Sequence, residues 1–277
     1  MRGATGHNLR EDLALLAKKT KAGIFSINEA AKALNLPTKK ISERLATLVG
    51  GGWIVRIRRG LYLIPSLEAE PWKPTMPEDG WVLAVAAFSP CYIGGWSAAE
   101  HWHLTEQIFR TILVFTAASV RASEVNLHGY SFRLFKVPKK RLEGISFVWR
   151  GTERIPISSP ERTIADGLRN PEVCGGIRHL IEIVKEYAAS SDDDWSKLME
   201  AMRGSANGAA WKRFGFLVET LWPERKRNIA EAEKNLSAGY ARLEPRSKEK
   251  GTLTRRWRLW VNIGDFDKNN DSQTRHS

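Results

Sequence analysis

Apolar residues recur at helical spacing three times in the first fifty positions. Leu9, Leu13, Leu16 and Ala17 predict an amphipathic helix over 8–21. Ala30, Ala31 and Leu34 predict a shorter one. Ile41, Leu45, Leu48 and Val49 predict a third, with Lys39, Lys40, Ser42, Arg44 and Thr47 elsewhere on the cylinder. Ser26 with Glu29 three residues on is a capping-box signature for the second helix, and Pro37-Thr38 starts the third. Gly50 to Gly52 end it. Trp53, Val55 and Ile57 then alternate with Ile54, Arg56 and Arg58 as in a half-buried strand, and Arg58-Arg59-Gly60 turns into a return strand, Leu61 to Ile64. Three helices and a hairpin with arginines at its tip predict a winged helix-turn-helix, whose last helix would enter the major groove of DNA.

The pattern changes after Ile64. Pro65, Pro71, Pro74 and Pro77, with acidic residues between them, read as a linker, which puts a domain boundary near residue 66. Beyond it, Trp81–Phe88 reads as a buried helix and Ser97–His103 as a short one. Thr111–Thr116, Tyr130–Val137 and Ile145–Trp149 read as strands. From Pro160 the spacing is helical, in ERTIADGL, Gly176–Ala189, Trp195–Arg203 and Ala209–Trp222. Strands followed by helices predict an α+β class, a mixed sheet packed against helices. Two domains are expected: 1–66, a DNA-binding head, and 67–277, a larger α+β body ending in a basic tail from about 225.

Charge follows the same division. Residues 1–66 hold 12 Lys+Arg against 4 Asp+Glu, residues 67–224 hold 18 against 20, and residues 225–258 hold 11 against 4. A head of net +8 attracts phosphate and would bind DNA with strong salt dependence. No apolar run approaches the roughly 20 residues a bilayer needs, so no membrane contact is expected. The lack of a signal-like segment predicts a cytoplasmic location. Cys91 and Cys174 are too few for a disulfide framework and lack metal-ligand spacing; both are expected as reduced, buried thiols.

The residues expected to meet DNA are Thr38, Lys39, Lys40, Ser42 and Arg44 on the third helix, with Arg56, Arg58 and Arg59 on the wing. The wing arginines are assigned to backbone phosphates, and Lys40 and Arg44 to base edges. Catalytic candidates fare worse. His101 and His103 point to different faces of a helix, which disfavours chelation. Pro160 and Glu161 suit a helix start, and Arg162 and Asp166 suit an i,i+4 pair. The one Glu-x-Lys, at Glu224 and Lys226, follows Pro223 at a helix end rather than sitting on a strand, and Asp192 to Asp194 read as a helix cap before Trp195. Loop motifs for nucleotides, dinucleotides and hydrolase serines are absent, so neither catalysis nor a cofactor is expected. A nuclease is the enzyme class a DNA-binding head could deliver, and these placements disfavour it.

Eleven tryptophans ask for an account. Trp53, Trp81, Trp96 and Trp211 lie in apolar patterns and read as core. Trp257 and Trp260 alternate with Arg255, Arg256 and Arg258, which suits either base stacking or a terminal strand over 257–263, with Trp257, Leu259 and Val261 on one face.

RRGLYLIP at Arg58 to Pro65, YIGGWSAAEHWHL at Tyr92 to Leu104 and SSPERTIADGL at Ser158 to Leu168, in that order, resemble the recurring segments of AbiEi-type antitoxins of type IV toxin-antitoxin systems. The resemblance runs from about residue 10 to 222 and includes FGFLVETL at Phe214 to Leu221. It implies an amino-terminal winged helix that represses its own operon. It also implies a carboxy-terminal region that counters a nucleotidyltransferase-fold toxin encoded beside it. The partners expected are double-stranded operator DNA, that toxin, and a second copy of the chain on a repeated operator. The alternative is a winged-helix regulator whose second domain oligomerises or senses a ligand. The segment RLEPRSKEKGTLTRRWRLWVNI has no counterpart in the resemblance.

Overall fold

The computed structural model describes residues 9–19, 23–65, 79–190 and 194–264. The chain divides into two compact units, Met1–Ile93 with Arg110–Ile157, and Gly94–Phe109 with Ser158–Ser277. The proline-rich stretch at 66–78, and with it the expected boundary, lies outside the described residues.

The first unit opens with α1 (Leu9–Lys19), β1 (Ile24–Ser26), α2 (Ile27–Leu34), α3 (Thr38–Gly50), β2 (Val55–Arg58) and β3 (Leu61–Leu63). The Ser26–Glu29 capping box forms in both directions: Ser26 N–H donates to the Glu29 carboxylate at 2.7 Å, and Glu29 N–H to Ser26 Oγ at 3.2 Å. Asn35 closes α2 in the left-handed conformation at φ 51°, and Pro37 delivers an extended backbone into α3. Leu16, Phe25, Ala30, Leu34, Ile41, Leu45, Leu48 and Ile54 form one buried cluster, with Phe25 stacked on Tyr62 at 5.8 Å. These helices and strands therefore share a core of their own. β1 pairs with β3 and completes a three-stranded sheet in the order β1-β3-β2, a strand the residue pattern alone does not reveal.

One expectation fails here. Trp53 is 42% exposed, while Ile54 and Ile57 are the buried pair. Gly52 sits at φ +71°, and Trp53 N–H donates back to the Leu48 carbonyl, so the chain reverses before the strand begins. That reversal sends Trp53 outward. A register shift between Arg56 and Arg58 then breaks simple alternation along the wing.

The same unit holds α4 (Gly80–Phe88), β4 (Cys91–Ile93), β5 (Thr111–Thr116), β6 (Glu124–Leu127), β7 (Tyr130–Lys136), β8 (Ser146–Arg150) and β9 (Glu153–Ile157). The six strands form one mixed sheet in the order β6-β7-β5-β4-β9-β8, parallel at β5–β7 and β4–β9 and antiparallel elsewhere. α4 packs on its central strands. The mixed sheet expected from the sequence is present. Its short strands β4 and β6 lack enough alternating positions to announce themselves.

The second unit is mainly helical: α5 (Gly95–His101), α6 (Pro160–Arg169), α7 (Ile177–Ala189), α8 (Trp195–Ser205), α9 (Gly208–Leu221) and α10 (Lys226–Lys234), then β10 (Ala241–Arg242), β11 (Thr252–Thr254) and β12 (Leu259–Val261). α6 packs against α5, α7, α8 and α9. Its buried polar side chains are all engaged. Ser159 caps the helix at 3.2 Å to Arg162 N–H, Arg162 pairs with Asp166 at 3.0 Å, and Glu161 accepts from Ser159 and from the Tyr187 hydroxyl. Asp194 caps α8 by accepting from Ser196 N–H and Lys197 N–H, as expected of the last residue in its acidic run; Asp192 and Asp193 lie outside the described residues.

The segment expected as a basic tail is folded onto this unit. Arg213 of α9, 3% exposed, donates to the carbonyls of Leu168, Arg169, Arg242 and Leu243, tying α9 to the end of α6 and to β10. Burial pulls its guanidinium down to about 10. Trp257 is fully buried against Gly215, where any side chain would overlap the indole ring, and its N–H donates to Glu219. Trp257 is therefore core and lies ahead of the strand rather than in it. Asn262 also departs from the expected exposed face: it is buried and exchanges hydrogen bonds with Glu244.

Candidate nucleic-acid interface

α3 shows how the candidate interface is held. Ile41, Leu45 and Leu48, spaced four and three apart, are completely buried, so the helix is fixed in rotation about its axis. Lys39, Lys40 and Ser42 are thereby turned to solvent. Pro37, which precedes the helix, offers no side-chain cap. The first N–H groups of α3 thus remain available to a phosphate at the positive end of the helix dipole. Thr38 is the first helical residue; its side chain lies outside those described.

The wing supplies the second part. Arg56 and Arg58 project from β2, Arg59 occupies the turn, and all three are exposed. Gly60 adopts φ +78°, the left-handed conformation that lets the strands reverse over two residues. Its carbonyl accepts from Ile27 N–H at 3.0 Å, which fastens the turn to the start of α2. Among the described residues, Lys39, Lys40, Arg56, Arg58 and Arg59 form no ion pair. Their side chains face water.

Arg44 differs from its neighbours. Its Nε donates to Asp12 Oδ2 of α1 at 2.5 Å, with the arginine side chain 27% exposed and the aspartate fully buried. Nothing in the sequence marks Asp12 as its partner, 32 positions away. The other oxygen, Oδ1, has no hydrogen-bond partner. Such a carboxylate depends on the guanidinium for its compensation, so the pair braces α3 against α1. Trp53, beside the last turn of α3, is a further exposed side chain on this head that the apolar pattern misassigns.

Of the acid-base candidates, Glu161, Arg162 and Asp166 are engaged in bonds within the fold. Trp102 N–H donates to the Ser158 carbonyl at 2.7 Å, and the His101 ring lies edge-on to Trp102. Among the described residues, no three His, Cys, Asp or Glu side chains gather as metal ligands. Glu224 lies at the turn between α9 and α10, Lys226 opens α10, and Arg225 between them stacks on Trp195 at 4.0 Å. Both cysteines are buried; burial pushes the Cys91 thiol up to about 12 and raises Cys174 as well, so neither is a ready thiolate at neutral pH. No helix among the described residues is long and apolar enough to cross a membrane.

The fold is similar to that of a crystal structure of the RV2827C protein from Mycobacterium tuberculosis, with a TM-score of 0.53 over 89% of this chain and 88% of that one. Sequence identity is 17%, so the likeness is one of fold. No curated protein matches the sequence. Residues 11–65, the segment containing α3, the wing and Asp12, match the family model described as "Transcriptional regulator, AbiEi antitoxin".

Proposed function

We propose that the chain is a DNA-binding antitoxin that represses its own operon through the winged helix and counters a nucleotidyltransferase-like toxin through its carboxy-terminal region. The observation that carries the DNA half is the set of five unpaired, exposed cations on α3 and the wing, presented beside an uncapped helix start. In this reading Lys39, Lys40, Thr38 and Ser42 enter the major groove, and Arg56, Arg58 and Arg59 grip the neighbouring backbone. One such head reads few base pairs, so the operator is a repeat occupied by two copies. The protein works in the cytoplasm and without catalysis; Glu161, Arg162 and Asp166 serve the fold of α6.

Growth of cells expressing the toxin encoded next to the gene tests the antitoxin half. The full chain should rescue growth, and so should a full chain with Lys39, Lys40, Arg58 and Arg59 changed to alanine. Rescue by the intact chain alone, at equal abundance of both, would mean protection acts through DNA. Rescue by neither would favour the second reading, a regulator without a toxin partner.

A further inference from the structure

The carboxy-terminal sheet has an outward face that neither DNA binding by the head nor the core of the second unit uses. β12 is its middle strand, paired in parallel with β10 and antiparallel with β11. In that register Trp260 lies directly between Arg242 and Leu253, so the three side chains share one face. The opposite face is closed: Leu243 and Leu259 are completely buried, as is Trp257 just ahead of β12. Trp260 remains 37% exposed, and Tyr240, two residues before Arg242, is 64% exposed. Two exposed aromatic side chains thus flank Arg242 in sequence and in strand register.

The surrounding charge is one-sided. The β10–β11 connection carries Lys248 and Lys250 and the β11–β12 turn carries Arg255, all exposed and without an ion pair among the described residues. The nearby carboxylates are mostly committed elsewhere. Glu231 pairs with Arg203 and Glu233 with Arg256, each at 2.7 Å, and Glu244 caps Ile177 N–H at 2.8 Å. Glu249 alone stands between the two lysines.

We infer that this face binds single-stranded nucleic acid, with Trp260 and Tyr240 stacking on unpaired bases and Arg242, Lys248, Lys250 and Arg255 following the phosphates. Flat ring faces in solvent suit unpaired bases, because a duplex keeps its own bases stacked and offers only their edges. An acidic protein surface would use the cations but leave the rings without a partner. The site is made of residues other than those of the winged helix and would act on a different ligand.

The test uses the full chain with Lys39, Lys40, Arg58 and Arg59 changed to alanine, so that the head is silent. Fluorescence anisotropy is measured with a labelled 20-nucleotide mixed-sequence DNA strand, the matching RNA, and the corresponding duplex, over a range of salt. Both single strands should bind at least tenfold more tightly than the duplex; a preference between them tells DNA from RNA as the natural source. Adding Tyr240→Ala and Trp260→Ala should weaken single-strand binding at least tenfold with little change in salt slope. Tyr240→Ala alone, at the more exposed position, should weaken it about threefold and guards against misfolding of the double variant. Adding Lys248→Ala, Lys250→Ala and Arg255→Ala should instead lower the salt slope by about two. No binding by the head-silenced chain, equal binding of duplex, or indifference to Tyr240→Ala in a folded protein would each overturn the inference. Operator binding by a chain with an intact head and Tyr240→Ala plus Trp260→Ala should be unchanged, which separates this site from the winged helix.

Discussion

Two stretches of this chain carry nearly the same excess of positive charge, +8 over 1–66 and +7 over 225–258, and the fold uses them in opposite ways. In the winged helix, burial of Ile41, Leu45 and Leu48 turns lysines outward, and the wing holds three arginines in solvent. At the carboxy terminus much of the charge is bound internally. Arg256 pairs with Glu219 and Glu233, Arg246 with Glu172, and Arg258 donates to the Ser237 carbonyl. The arginine and lysine of α9 that anchor this segment are buried outright: Arg213 on four carbonyls, Lys212 on Ser237 and Gly239. Net charge read from sequence therefore measures a field in the head, and in the carboxy-terminal stretch a mixture of fasteners and exposed cations such as Lys248, Lys250 and Arg255.

The largest expected effect falls on the fasteners. Arg213→Ala leaves four buried or half-buried carbonyls short of a donor and should cost about 3 kcal/mol of stability. Urea denaturation measures it, and an unchanged midpoint would show that the segment is held by Trp257 and the sheet alone. The affinity of the folded fraction for operator DNA should stay within about twofold. Next comes the opposite experiment. Replacing Lys39, Lys40, Arg58 and Arg59 together with alanine should leave the denaturation midpoint nearly unchanged, because none of the four is buried or paired. Affinity for duplex operator should fall on the order of a hundredfold, and the salt slope by roughly three to four. A gel shift repeated at several salt concentrations reads both. Loss of stability without loss of the slope would reverse the contrast between the two regions.

The same contrast explains how much was legible in the sequence. The winged helix could be read closely because its signals are local: a capping box at Ser26, a proline before α3, glycines after it, and apolar spacing with one period. The long strands β5, β7 and β8 and helices α6 to α9 also follow from periodicity. The carboxy-terminal sheet could not be foreseen in the same way. Its strands are two or three residues long, and beside them Trp257 fits over Gly215, a contact between positions far apart in sequence. Trp53 departs from the period-two alternation because the reversal at Gly52 interrupts it. Among the candidate DNA contacts, exposure of Lys39, Lys40, Arg56, Arg58 and Arg59 followed from helix and strand phase. The engagement of Arg44 did not, since a partner on another helix leaves no trace in local pattern.

Arg44 therefore gives the smallest but most discriminating effect, because it lies within the head yet is held like the fasteners. If it braces α3 through Asp12, Arg44→Ala strands a buried carboxylate and should destabilise the head by about 1–2 kcal/mol. Asp12→Ala should cost less, since the partly exposed guanidinium can turn to water. The double variant should be less destabilised than the sum of the two, as expected for neighbours in contact. On DNA, loss of the brace lets α3 shift as a body, so Arg44→Ala and Asp12→Ala should lower affinity to a similar extent, below tenfold, on operator and unrelated duplex alike. Lys40→Ala should behave differently, costing about 1–3 kcal/mol on the operator if the lysine reads a base. Binding to a panel of single-base operator variants separates the two roles. Should Arg44→Ala change the preferred base at one position while Asp12→Ala changes none, Arg44 reads DNA directly and the brace is incidental.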